Sequence, residues 1–206
     1  MTIVVPRSSV PRLVLVTDRH AVGGRDLVAV VEAALDGGLP AVQLREKDLP
    51  GRALFLLAER LRAATARRGA LLFVNGRVDV AVAVGADGVH LGGGALPVDV
   101  ARRLLPASAL IGVSTHTPDE PASRGADFVF FGPVHATPGK SAQGEAALAA
   151  AVAAARVPVL AIGGIGTAEV PGIRSGAAGV AVIRAILASP DPAAATRALL
   201  VALDRS

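Results

Sequence analysis

Cysteine is absent from this chain of 206 residues. That excludes disulfides and thiolate metal sites and fits a reducing compartment, so the expected location is cytoplasmic. Tyrosine and tryptophan are absent too, and only five phenylalanines are present, too few for a platform that stacks single-stranded nucleic acid. No apolar run approaches the roughly 20 residues that span a bilayer. The first ten residues, interrupted by Pro6 and Arg7, do not read as a secretory segment. Lysine is scarce as well: Lys47 and Lys140 stand against nineteen arginines. Where arginine fills nearly every cationic position, a retained lysine points to a need for a compact ammonium rather than a planar fork.

What is present is largely apolar. Hydrophobic residues make up 52% of the chain, enough for one sizeable core, and no linker divides it. The expectation is a short flexible tail over residues 1–10 and a single domain over 11–206. The pI is near 10.8, but the net charge is only +4, and arginines such as Arg60, Arg62, Arg67 and Arg68 fall on solvated helical faces. Neither nucleic acid nor a membrane is the expected partner; a small anionic ligand is.

Short runs rich in Val, Leu and Ile alternate eight times with Ala/Leu/Arg-rich stretches of helical period. Strands are expected at 13–16, 41–44, 71–74, 88–91, 110–113, 128–131, 159–162 and 179–182. Helices are expected at 25–35, 51–67, 77–84, 97–104, 118–124, 146–155, 168–175, 184–188 and 192–203. Continuous apolar strands separated by helices imply a parallel sheet. Gly85-Ala-Asp-Gly88, Gly125-Ala-Asp-Phe128 and Gly176-Ala-Ala-Gly179 each precede a strand, where glycine ends a helix in a left-handed turn. Eight such units in one small domain predict an α/β fold, a (β/α)8 TIM barrel. An open dinucleotide-binding sheet would need G-x-G-x-x-G after the first strand, and Thr17 to Gly24 does not supply it.

In a barrel the chemistry sits where strands end. Those ends carry Thr17 and Asp18; Gln43, Arg45, Glu46 and Lys47; Asn75; His90 before Gly92-Gly-Gly94; Ser114 and His116; Gly132 to Lys140; Gly163 and Gly164; and Ile183 with Arg184. Gly163-Gly164 allows close backbone approach, and the short helix opening after Ile183 at Arg184 offers free amides, so these form a candidate phosphate clamp that Thr137 and Lys140 could join. Gly139-Lys140-Ser141 is not a nucleotide P-loop, because the required first glycine would fall at Val134 and no helix starts at the lysine. His20 and His135 read as surface loop residues, and His90, inside the apolar run Val89 to Leu91, as a residue of the barrel core or one standing behind a site residue. His116, at a strand end two residues after Ser114, is the candidate proton carrier. The mouth holds only Asp18 and Glu46 as acids, and Glu46 is expected to pair with Arg45 or Lys47 or to point outward. Asp87 and Asp127 lie at the opposite end. No dedicated metal site is expected.

Over residues 13–203 the chain resembles the thiamine phosphate synthase/TenI family. The matching stretches are Gln43-Leu-Arg-Glu-Lys47, Phe73-Val-Asn75, Gly85-Ala-Asp-Gly-Val-His-Leu-Gly92, Gly112-Val-Ser-Thr-His-Thr117, Phe131-Gly-Pro-Val134 with Thr137 and Lys140, and Ile162-Gly-Gly-Ile165. The resemblance implies the same barrel, phosphorylated thiazole and pyrimidine substrates, and a homo-oligomer, dimer or higher. It also implies substrate contacts at Gln43, Arg45, Lys47, Asn75, Ser114, Thr137, Lys140, Gly163, Gly164, Ile183 and Arg184.

Synthases of the family resemble this chain but carry aspartates after strands three and four that hold the Mg²⁺ of a pyrimidine diphosphate. Here the corresponding stretches are Asn75-Gly76 and Gly92-Gly-Gly-Ala95. The expectation is therefore the TenI branch: a thiazole tautomerase that aromatises a carboxythiazole phosphate without metal or cofactor. Its catalytic residue would be His116, with Arg45 and Lys47 on the ring carboxylate. Gln43 and Lys47 match the synthase pattern, and a thiamine phosphate synthase, which would use Mg²⁺, is the alternative. A phosphate-ligand sensor without catalysis is the second alternative.

Overall fold

The computed structural model describes residues 10–117, 125–173 and 176–205. Eight parallel strands close into a barrel in the order β1 to β8: β1 Leu13–Val16, β2 Ala41–Leu44, β3 Leu71–Asn75, β4 Gly88–Leu91, β5 Leu110–Thr115, β6 Phe128–Phe131, β7 Val159–Ile162 and β8 Gly179–Val182. The helices between them are α1 Leu27–Asp36, α2 Gly51–Ala66, α3 Val78–Val84, α4 Val98–Leu104 and α5 Glu145–Ala154. After β8 come the four-residue α6 Arg184–Leu187 and then α7 Pro192–Asp204. The expected tail falls almost wholly, and the helix at 118–124 wholly, outside the described residues.

One expected helix differs. In place of a helix at 168–175 the described residues form a single 3-10 turn, Val170–Ile173. Pro171 lacks the amide that a helix would use and Gly172 is a poor helix former, so a regular α-helix does not form across them.

Two-residue periodicity sorts the strand side chains. Val14, Val16, Ala41, Phe73, Leu110, Phe128, Phe130, Leu160 and Ala181 fill the bore. The intervening Leu13, Leu15, Val42, Leu44, Leu72, Val74, Ile111, Val113, Val129 and Phe131 join the larger core shared with the helices. Both faces are buried, which is why the strands read as unbroken apolar runs.

The repeated Gly-Ala-Asp motif holds the end of the barrel away from the mouth. Gly85, Gly125 and Gly176 all have positive φ, the left-handed turn expected of them. Each aspartate then caps a neighbouring strand: Asp87 accepts from the Leu72 amide at 2.8 Å and from Arg62 at 2.6 Å. Asp127 accepts from the Ile111 amide at 2.8 Å and from Arg102 at 2.5 Å. Among the described residues no helix is long and apolar enough to cross a membrane.

Candidate functional site at the barrel mouth

Alternation along the strands decides which polar side chains enter the bore. Gln43 follows Ala41 on the inner face of β2, Asn75 follows Phe73 on β3, His90 sits beside Asn75 and Gly112 in the ladder, and Ser114 follows Gly112 on β5. Gln43 and Asn75 meet directly, the Gln43 amide donating to Asn75 Oδ1 at 3.1 Å; Gln43 Oε1 is buried without a partner. His90 Nε2 lies 2.9 Å from Ser114 Oγ. His90 is 2% exposed, and burial, with the nearby Arg45 charge second, pushes its pKa down to about 3.

Above this polar layer the cations gather. Lys47 is held below the ordinary lysine range first by the charge of Arg45, then by partial burial, then by Lys140. So the two lysines share one electrostatic neighbourhood although 93 residues apart. Lys140 is placed by a hairpin over Thr137 to Lys140, in which each of those two backbones donates to the other at 3.2 and 2.9 Å. Pro138 and Gly139, whose φ is +76°, are the central pair that a type II turn demands. Most ion-paired arginines lie elsewhere on the barrel, on Asp26, Glu32, Asp36, Asp87, Asp99 and Asp127. Arg45, Lys47, Lys140 and Arg184 have no carboxylate partner among the described residues.

Gly163 and Gly164 carry φ of +104° and +64°. A Cβ at Gly163 would stand 2.5 Å from Pro133, and one at Gly164 would stand 2.8 Å from His135 Cβ. The loops after β6 and β7 therefore lie against one another because neither glycine has a side chain. Ile183 caps α6, with Leu187 donating back to its carbonyl at 3.0 Å. The amides of Arg184 and Ala185, by contrast, have no acceptor within the helix and can meet an anion.

His116 is exposed just beyond β5, with Nδ1 3.0 Å from the Gly132 carbonyl. A carbonyl only accepts, so Nδ1 carries the hydrogen and Nε2 is the basic nitrogen when the ring is neutral. Cavities of about 370 and 490 Å³ open at the ends of β2 to β5, the first bordered by Lys47, Asn75, Gly76 and Arg77 and the second by Leu91, Gly92, Leu96 and Ser114.

Two expectations need correction. Glu46 neither pairs with Arg45 or Lys47 nor points outward: it is 5% exposed and accepts from the Arg19 amide and guanidinium at 3.1 and 3.2 Å. Facing away from the bore, it reaches the loop after β1, a lateral contact that strand periodicity does not reveal. His135, expected on the surface, is half-buried, with Nε2 buried and without a partner among the described residues. His90, expected in the core or behind a site residue, stands beside Ser114, a place that depends on the β4/β5 register.

The chain matches the model of a protein family described as thiamine monophosphate synthase over residues 13–186. A Geobacter sulfurreducens protein, provisionally named a thiamine-phosphate synthase, is 55% identical over 160 residues, 74% of this chain and 75% of that protein. The thiamine-phosphate synthase of Roseiflexus castenholzii is 45% identical over 73% of this chain and 69% of its own length. A solved thiamine phosphate pyrophosphorylase from Pyrococcus furiosus superposes with a TM-score of 0.86 at 35% identity, covering 94% of this chain and 96% of that one.

Proposed function

Because the chain belongs to the thiamine monophosphate synthase family, we propose that it is a transferase joining a pyrimidine diphosphate to a thiazole phosphate. The observation that carries this reading is the convergence of Arg45, Lys47 and Lys140, three cations without carboxylate partners among the described residues. The names of the relatives weigh the same way, toward the synthase rather than the tautomerase expected from sequence.

In the reaction the thiazole ring nitrogen attacks the methylene carbon of the pyrimidine. The bond from that carbon to the diphosphate oxygen breaks, diphosphate leaves with the electron pair, and no proton has to move. Negative charge develops on the leaving group, so the residues that matter most are those already aimed at it. Arg45, Lys47 and Lys140 fill that role. The thiazole phosphate would rest on Gly164 and the amides at Ile183 and Arg184, beside Thr137, while Gln43, Asn75 and Ser114 line the pyrimidine end.

The family resemblance implies a magnesium ion on the diphosphate. Such an ion is held through carboxylates, and the ends of β3 and β4 offer Gly76 and Gly92 to Ala95 instead. Asn75 Oδ1 is engaged by Gln43, Glu46 by Arg19, and Asp79 by Arg77. These donors do not fit a protein-held ion, and charge neutralisation falls to the cations.

A second reading, isomerisation of a carboxythiazole phosphate, is supported by His116, whose Nδ1 contact to Gly132 leaves Nε2 as the base. The deciding assay supplies both substrates, with magnesium and with EDTA. Diphosphate release that needs both substrates supports the transferase. Its absence, together with aromatisation of the carboxythiazole phosphate by the native chain and not by His116→Asn, would establish the isomerase. Thermal stabilisation by thiazole phosphate with neither turnover would mark a sensor.

A further inference from the structure

The geometry points to His90 as a positioning residue: held as the neutral Nε2–H form, it donates to Ser114 and commits the Ser114 hydroxyl to donating into the mouth. The pocket would thereby select a ring that presents a bare acceptor, such as an unprotonated aromatic nitrogen, at that point. This deepens the reading above and rests on the mouth being the substrate site, but the state of His90 can be measured without any turnover.

A neutral imidazole has one N–H and one lone pair, and its two nitrogens here have different surroundings. Nε2 lies 2.9 Å from Ser114 Oγ. Nδ1 is buried with no partner, on the side of the ring that packs on the Gly112 backbone, where a Cβ would stand 2.8 Å away. The ring is flanked by Phe130 at 4.3 Å and Phe128 at 6.1 Å between centroids. With hydrogen on Nδ1, a donor would be sealed among aromatic rings with nothing to receive it. With hydrogen on Nε2, only a lone pair is orphaned, the less costly of the two. Protonation of both is opposed by burial and by Arg45.

Once Nε2 donates, Ser114 Oγ is occupied as an acceptor and its own hydrogen must go elsewhere. Ser114 has no other hydrogen bond among the described residues. It is half-buried and lines the 490 Å³ cavity, so the open direction is toward a ligand. An acceptor there completes the chain from His90 through Ser114 to the ligand. A C–H or a second donor at the same place leaves the hydroxyl unsatisfied, and sites that bind by hydrogen bonds reject such analogues strongly.

The test has two arms. Heteronuclear NMR of the ¹⁵N,¹³C-histidine protein, which has four histidines, reads the protonated nitrogen directly, and His90→Gln assigns the signal. The expected result is an Nε2–H form unchanged from pH 8 to about 5, below the ordinary histidine midpoint. The second arm compares 4-aminopyrimidine with aniline, rings alike except for acceptor nitrogens. The native chain should hold the first on the order of tenfold more tightly, the worth of one hydrogen bond. Ser114→Ala and His90→Leu should abolish that preference, and His90→Gln, whose amide nitrogen can take the place of Nε2, should restore it. An Nδ1–H signal overturns the inference, as does equal or absent binding of the two rings to the native protein. Failure of the coupling assay with both arms as expected would instead count against the transferase.

Discussion

The carboxylate of Glu46, at the end of β2, is buried against Arg19 in the loop after β1, taking hydrogen bonds from its amide and its guanidinium. The same guanidinium reaches Asp48 at 2.5 and 2.6 Å, which holds Asp48 well below the usual carboxylate range. Arg19 thus ties the first two strand ends together. Removing one partner of a buried pair strands the other charge. Arg19→Ala therefore strands the buried Glu46 carboxylate and should lower Tm measurably in thermal unfolding. Asp48→Ala should cost far less, and equal losses for the two variants would contradict the account.

Lys47, Lys140 and Arg45 repel one another until an anion arrives. Inorganic pyrophosphate should therefore bind with an affinity that falls as ionic strength passes about 0.1 M and as pH rises through the lowered Lys47 pKa, on the acid side of its ordinary 10.5. Lys47→Gln and Lys140→Gln should each weaken binding roughly 10- to 100-fold. Calorimetry in EDTA checks this, and unchanged affinity in both variants would remove the cluster from anion binding.

His90 makes the barrel sensitive to acid. Its pKa is about 3 when folded against an ordinary 6.5. Between those values the unfolded chain binds the proton and the folded chain does not, so stability falls as pH drops, by at most about 1.4 kcal/mol per pH unit. His90→Gln should remove this part of the slope in denaturant titrations from pH 7 to 4. A native-like slope in that variant would place the acid sensitivity elsewhere.

At the opposite end, Asp127→Ala should leave the Ile111 amide and Arg102 without their shared acceptor, at a cost of about 1–3 kcal/mol. The measured kcat should stay as in the native chain, since this end of the barrel sets stability and the mouth sets chemistry. A fall in kcat at unchanged Tm would contradict that division.

The eight strands were legible because each is buried on both faces, and the left-handed turns at Gly85, Gly125 and Gly176 were legible because that conformation favours glycine. The polar mouth followed, since strand alternation alone puts Gln43, Asn75 and Ser114 inward. Lateral relations were not legible. The pairing of Glu46 with Arg19 spans 27 residues, the meeting of Lys47 with Lys140 depends on barrel closure, and the His90–Ser114 contact depends on register between strands. The helix expected near 168–175 was misread because alanine content on either side outweighed Pro171 and Gly172.

The bore itself is lopsided. Gly88, Gly112 and Gly179 point inward where an added methyl would collide with Leu110, Phe128 and Arg12 respectively, and Phe73, Phe128 and Phe130 lean into the freed volume, with centroids 5.4 and 5.6 Å apart. Around the glycines the bore is thus filled by rings reaching across from neighbouring strands. The three positions therefore differ in what they permit. At 88 and 179 the obstacle is the backbone of Leu110 and Arg12, so a side chain there requires the neighbouring strand to shift. At 112 the obstacles are the side chains of Phe128 and His90, so divergence can proceed only together with both of those rings.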